Sequence, residues 1–147
     1  MIKAEIVMQY NYSAEASARY RAAAEVGVRS AGDFFLKQLQ RAYTNYYTTQ
    51  NFRDTIFIRG SLKAARPERE RGGWYTIVGV PSEMVTPVGQ NRSVNRGLVA
   101  LGWEIGHDNK WIGEHVRVPI AVPTAAKYSQ QVIGTFARVV KRIMDAK

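Results

Sequence analysis

From Ala14 to about Tyr47 the apolar residues Tyr20, Ala24, Val28, Ala31, Phe35, Leu39, Ala42 and Tyr46 recur at steps of three and four. That spacing lays one stripe along a 3.6-residue period and predicts a long amphipathic helix. Ser13 suits its cap, because a hydroxyl there can accept from the free amides of the first turn, and Glu15 follows. Gly27 and Gly32 interrupt the stripe, each at a cost of about 1 kcal/mol against alanine in a helix interior. They leave three readings open: a bend or break, the close approach of another element, or tolerated surface glycines. A second broad face, made of Val132, Ile133, Phe136, Val139, Val140, Ile143 and Met144, predicts a helix from Ala125 to about Asp145. Thr124 stands as its cap, and Lys141 and Arg142 near its end suit the helix dipole.

Outside these helices the period shortens. Lys3 to Tyr10 alternates loosely and predicts a short strand that ends at Asn11-Tyr12-Ser13. Thr55 to Arg59 is β-rich, and Gly60 to Ala65 follows as a turn. Pro67 to Gly73 is hairpin-like, with Glu68, Arg69, Glu70 and Arg71 alternating in sign as on a solvated loop or strand edge. Trp74 to Val80, rich in aromatic and β-branched residues, predicts a strand, as do Leu98 to Ile105 and Trp111 to Val118. Pro119 and Pro123 frame an extended segment. Pro81 to Gly97 shows no apolar period and is longer than an ordinary connection. With few local apolar anchors, it is expected to make contacts outside its own subunit. Helix, several strands and helix together predict an α+β fold, a long N-terminal helix and a C-terminal helix packed on a mainly antiparallel β-sheet. The 147 residues suit a single domain spanning 1–147.

Composition agrees with a folded chain, since 46% hydrophobic against 22% charged residues is the ordinary globular balance. With no cysteine, the chain has neither a disulfide framework nor a thiolate metal site. Lys3 and Glu5 interrupt the apolar residues from Met1 to Tyr10, so no signal or membrane-spanning stretch is expected there. The formal charge of +9 sets up a positive field that attracts polyanions, nucleic acid first among them.

Candidate chemistry is sparse. A catalytic centre needs groups that exchange protons or attack a substrate, and His107 and His115 are the only histidines. Glu104 and His107 share a helical metal-ligand spacing, but on the expected strand they fall on opposite faces, so no metal site is expected. No phosphate-binding loop, dinucleotide fingerprint, nucleophile elbow or zinc-protease motif occurs, and the glycines at 72, 73, 79, 89 and 97 precede no expected helix. Glu104 and Gly106 are therefore expected to serve backbone geometry. Arg66, Arg69, Arg71, Trp74 and Tyr75 mimic a single-strand-binding pattern, which Glu68 and Glu70 spoil. Arg92 and Arg96, on the long connection without a nearby acid, are the better candidates for meeting phosphate.

Four signals follow one another along the chain. Gly60-Ser61-Leu62-Lys63-Ala64-Ala65 comes after the N-terminal helix, and a strand then ends at Val78-Gly79. Trp103-Glu104-Ile105-Gly106-His107 precedes Val118-Pro119-Ile120-Ala121-Val122-Pro123-Thr124-Ala125-Ala126, which leads into a basic C-terminal helix. This order resembles the small tail-completion, or neck, proteins of long-tailed bacteriophages, from about Ala14 to the C-terminus. Arg59-Gly60-Ser61 departs from the Thr-Gly that often precedes the leucine, and the Pro81 to Gly97 connection is longer than usual.

The resemblance implies a non-enzymatic structural virion protein, similar in fold to tail terminators, made in the host cytoplasm and resident at the head-tail junction. It implies a ring of identical subunits, commonly a hexamer, between the head connector and the tail tube, with non-specific contact to passing DNA. No catalytic residue, cofactor, metal or membrane comes with it. In such a ring Arg92 and Arg96 would line the lumen or bridge to acidic patches on adjacent subunits. The alternative left open by charge is a monomeric basic nucleic-acid-binding accessory protein, whose long loop and exposed aromatics would meet bases instead of neighbouring subunits.

Overall fold

A computed structural model describes residues 2–6, 14–50, 58–71, 73–81, 85–87, 93–109 and 114–146, with side chains over 17–46, 58–71, 73–81, 95–106 and 117–146. The chain is α+β, as the alternation of periods predicts. In order it runs β1 (Ile2–Ile6), α1 (Ala14–Gln50), a helical turn at 58–61, β2 (Lys63–Ala64), β3 (Glu68–Glu70) and β4 (Gly73–Gly79). There follow β5 (Val85–Pro87), β6 (Ser93–Asn95), α2 (Arg96–Ile105), β7 (His107–Asn109), β8 (Glu114–Val116) and α3 (Ala121–Asp145).

β4 is the centre of an antiparallel sheet. β1 lies along one edge, with Ile2 opposite Val78 and Ile6 opposite Trp74, and the other edge is shared end to end by β3 and β2. Where β3 gives way to β2, the Ala65 amide still donates to the Ile77 carbonyl, at 2.8 Å, while the buried Pro67, which has no N–H to offer the ladder, stands at the break. Arg71, at φ 50°, turns the β3–β4 hairpin, and the charged strand it carries is exposed throughout. This is the solvated edge that the mixed charges predicted.

The 37 residues of α1 span about 55 Å at 1.5 Å per residue. Its stripe divides by side-chain size. Toward its start the small residues Ala23, Ala24, Val28 and Ala31 form a core with Phe136 and Val140 of α3. Further along, Phe35, Leu39 and Tyr43 fill a second core with Ile58, Leu62, Val78, Val80, Trp103 and Ile120. Burying each of these large side chains contributes about 1.5–3 kcal/mol. The two helices run antiparallel, since Arg19 donates to the carbonyls of Ile143 and Ala146 at the end of α3, and the start of α3 meets the second core through Ile120.

Close approach explains both glycines of α1. A Cβ at Gly27 would meet Phe136 at 2.8 Å and Val140 at 2.9 Å, and one at Gly32 would meet Thr76 at 2.7 Å. Gly27 is therefore where α3 crosses, and Gly32 is where α1 lies on β4.

Several expectations need correction. Leu98 to Ile105 is not a strand: it belongs to α2, whose start is capped by Asn95, the side chain accepting from the Gly97 and Leu98 amides at 2.9 and 3.2 Å. Apolar residues three and four apart decide the matter once that cap is recognised. Pro81 to Gly97 is not irregular throughout, because β5 and β6 pair antiparallel and Arg96 opens α2. Ile58 and Arg59 lie in the helical turn and not on a strand, and Lys63–Ala64 is a strand where a turn was expected. Thr124 is not the cap of the last helix, which starts at Ala121; its hydroxyl donates back to the Ile120 carbonyl at 2.6 Å. The Ser13 cap and the part of the first strand beyond Ile6 lie outside the described residues.

Candidate functional site

α3 begins without a side-chain cap of its own. A helix start leaves backbone donors without intrahelical partners, and here each of them is accounted for. The Glu104 carboxylate, on the last turn of α2, accepts from the Ile120 amide at 2.6 Å, from the Ala121 amide, and from the Val122 amide at 3.4 Å. Pro123 has no N–H, which is why a proline is tolerated in this first turn, and the Thr124 amide makes the first helical bond to Ile120 at 3.1 Å. An anion at the positive end of a helix is also where the dipole favours it.

Backbone contacts tighten the same junction. The Val118 amide donates to the Trp103 carbonyl at 2.8 Å, the Arg117 side chain donates to the Glu104 carbonyl at 3.1 Å, and Gly106 closes α2 at φ 98°, where a Cβ would be strained. The segments Trp103 to His107 and Val118 to Ala126, separate signals along the chain, thus form one structural unit with Glu104 at its centre. The expectation that Glu104 and Gly106 serve backbone geometry agrees with these contacts, although Glu104 acts from a helix and not from a strand end.

Beneath this junction Tyr43 is 2% exposed. Burial pushes its phenol well above the usual tyrosine range, and the neighbouring Glu104 carboxylate adds to the effect. The folded chain therefore holds the Tyr43 proton at pH values where the unfolded chain, titrating near 10, releases it. Unfolding then releases protons, so this contribution to stability is complete below about pH 10 and is lost as pH rises beyond it. Urea midpoints measured on either side of about pH 10 should fall less steeply for Tyr43→Phe than for the parent chain. Equal alkaline slopes would remove Tyr43 from the account.

Around Glu104 opens an apolar groove of about 190 Å³, lined by Tyr43, Val80, Leu101, Ile105 and Val122 among others. Its rim continues onto the outer face of α2. Leu98 is 68% exposed, Leu101 43% and Ile105 64%, at positions i, i+3 and i+7 of one helix face, and Val122 beside them is 60% exposed. Isolated exposed apolar residues are ordinary, whereas neighbouring ones on one helix face form a patch of the kind that interaction surfaces use. The charged side chains of α2 are both engaged inside the subunit, Glu104 at the start of α3 and Arg96 on the fully buried Ser61 hydroxyl at 2.7 Å.

Arg96 therefore anchors the start of α2 to the helical turn that carries Gly60 and Ser61, and Arg92 lies outside the described residues. His107 and His115 stand on the paired strands β7 and β8, their side chains outside the described part. Among the described residues no three His, Asp or Glu gather as metal ligands would, and no helix is long and apolar enough to cross a membrane. The sequence conceals the strip on α2 because a period of two, fitted to Leu98 to Ile105, scatters Leu98, Leu101 and Ile105 over both faces of a strand. Compared with family models, curated proteins and solved structures, the chain matches none.

Proposed function

We propose that this chain is a non-enzymatic, ring-forming structural subunit that completes the tail of a long-tailed bacteriophage at the head-tail junction. The observation that carries the reading is the apolar strip of Leu98, Leu101, Ile105 and Val122. Copies of a chain with formal charge +9 repel one another, so they associate best where charge is absent and apolar area can be buried. α2 offers such a place, its arginine and its glutamate both being bonded within the subunit. The order of motifs along the chain supplies the viral setting and the neighbours, a head connector and a tail tube, and a hexamer is the ring size it favours.

The alternative, a monomeric basic nucleic-acid-binding accessory protein, leaves this strip with nothing to cover it. Light scattering over a range of concentrations, followed by negative-stain imaging, distinguishes the two. The parent chain should gain mass with concentration and form rings with a central opening. Leu98→Glu with Ile105→Glu should remain monomeric with unchanged circular dichroism, because both side chains already face solvent. A parent chain that stays monomeric throughout, or a double variant that assembles normally, would count against the ring.

A further inference from the structure

On the side of α1 away from the buried stripe, Lys37, Gln40, Arg41, Thr44 and Asn45 form a cleft of about 400 Å³ with Arg59 and Gly60 of the helical turn. Among the described residues every side chain that lines it is polar, three are cationic and none is a carboxylate. Arg59 is held in place by donating to the Thr44 hydroxyl at 3.2 Å, and that hydroxyl in turn donates to the Gln40 carbonyl at 2.9 Å. One edge of its planar fork is thereby oriented, and its other N–H groups make no hydrogen bond among the described residues. Lys37 and Arg41 are exposed and make no ion pair among the described residues, whereas Arg29, two turns earlier on the same helix, is matched by Glu25 at 3.7 Å. Their spacing of four puts both cations on one face, with side chains about 5–6 Å apart at their bases.

We propose that this cleft is a phosphate-backbone contact for double-stranded nucleic acid. The chemistry of the lining selects that ligand. A protein partner would need an apolar or aromatic anchor in a desolvated pocket, and the described lining offers none. A single strand would be held by stacking on aromatic side chains, and none stands among the described lining residues. What remains is a set of cationic and neutral donors suited to phosphate oxygens, which fix position without reading sequence. The inference deepens the neck reading, and rests on it for the source of the duplex. It moves the DNA contact from the expected arginines, of which Arg96 is bonded to Ser61, onto α1 and the turn at 58–61.

The test is a duplex-binding titration at several salt concentrations with three variants. Lys37→Gln with Arg41→Gln removes two cations from an exposed helix face. Gly60→Asp introduces a carboxylate at a position where an added Cβ meets no atom within 4 Å, leaving every cation in place. Arg138→Gln with Lys141→Gln removes the same charge from α3, where Phe136 and Val140 meet Gly27, ten residues and so about 15 Å along α1 from Lys37.

The first pair should make the log–log salt dependence shallower by about 2, one for each phosphate that is no longer neutralised, and Gly60→Asp should weaken binding at low salt. The α3 pair should change the slope much less. Equal losses in the two pairs would replace the site by a diffuse field and overturn the proposal. Polyglutamate bound as tightly as the duplex, or a single strand bound more tightly, would overturn it in favour of an acidic protein or of unpaired bases. The titration reads on monomer and assembly alike, so a chain that never forms rings sinks the neck reading while duplex binding still decides the cleft.

Discussion

Replacing Glu104 by alanine is expected to destabilise the fold by about 2–3 kcal/mol, the range for losing charge-assisted bonds together with a favourable helix-end charge. The loss is large because one carboxylate serves three amides, and because Ile120, whose amide would lose its acceptor, is buried at 7% exposure. Water reaches such a donor poorly, so its desolvation is left uncompensated. Glu104→Gln keeps an acceptor oxygen but sets an NH₂ group against the Val122 amide, and its cost should be about 1 kcal/mol. Urea unfolding with an unchanged slope and lowered midpoints, alanine below glutamine, would express this order. Faster amide exchange at 120–122 should accompany it. An alanine variant as stable as the parent chain would mean that the start of α3 finds other acceptors. Loss of a hydrolytic activity in a folded Glu104→Gln protein would overturn the non-enzymatic reading.

The parts legible in the sequence are those with a long, regular period. The stripe from Tyr20 to Tyr46 and the broad face of the C-terminal helix each sample enough turns for a 3.6-residue repeat to stand out, and Trp74 to Val80 alternates over a full strand. Short helices mislead because ten residues or fewer sample a 3.6-residue period poorly. In α2, the exposed Leu98, Leu101 and Ile105 occupy one face while Trp103 is buried on another, so apolar residues surround much of the helix and the strand and helix templates fit almost equally. The deciding mark is local: Asn95 immediately ahead of that run is a helix cap. At the start of α3 no such mark exists. Its cap comes from a side chain 16 residues earlier, and Pro119 and Pro123 suggest extended chain until Pro123 is recognised as a residue of the first turn.

The basic groups divide in the same way. Arg92 and Arg96 stand out because no acid neighbours them in sequence, but Arg96 is met by Ser61, 35 residues away, which a local reading cannot anticipate. Lys37 and Arg41 look like the solvated face of a helix. Their significance appears only when the turn at 58–61 brings Arg59 against Thr44, a juxtaposition 15 residues apart along the chain. Tyr43 yields its place in the predicted stripe to its neighbour Ala42, which is only half-buried, because either residue continues a helical stripe and only packing decides which one faces Trp103 and Ile120.

The glycines of the helices should respond to alanine with opposite signs. Helix propensity alone predicts a gain of about 1 kcal/mol for any interior Gly→Ala change. At Gly134 of α3 an added Cβ meets nothing within 4 Å, so Gly134→Ala should realise that gain. At Gly32 the same atom would lie 2.7 Å from the Thr76 methyl. Thr76 cannot readily turn away: it is 8% exposed on the central strand, and its hydroxyl donates to the Ala65 carbonyl at 2.7 Å, where β2 meets β3. Rotating it would break that bond, and otherwise α1 must lift off the sheet. Overpacking of this kind costs about 1–3 kcal/mol, so Gly32→Ala should lose about 1 kcal/mol net despite its better propensity. Gly32→Val, which adds two methyl groups in the same direction, should lose about 3 kcal/mol or more. Thermal and urea unfolding of the three variants would check the ranking, with Gly134→Ala above the parent and Gly32→Val lowest. If Gly32→Ala and Gly134→Ala stabilised the chain equally, Gly32 would be an ordinary helix glycine, and the close seating of α1 on β4 would have to be abandoned.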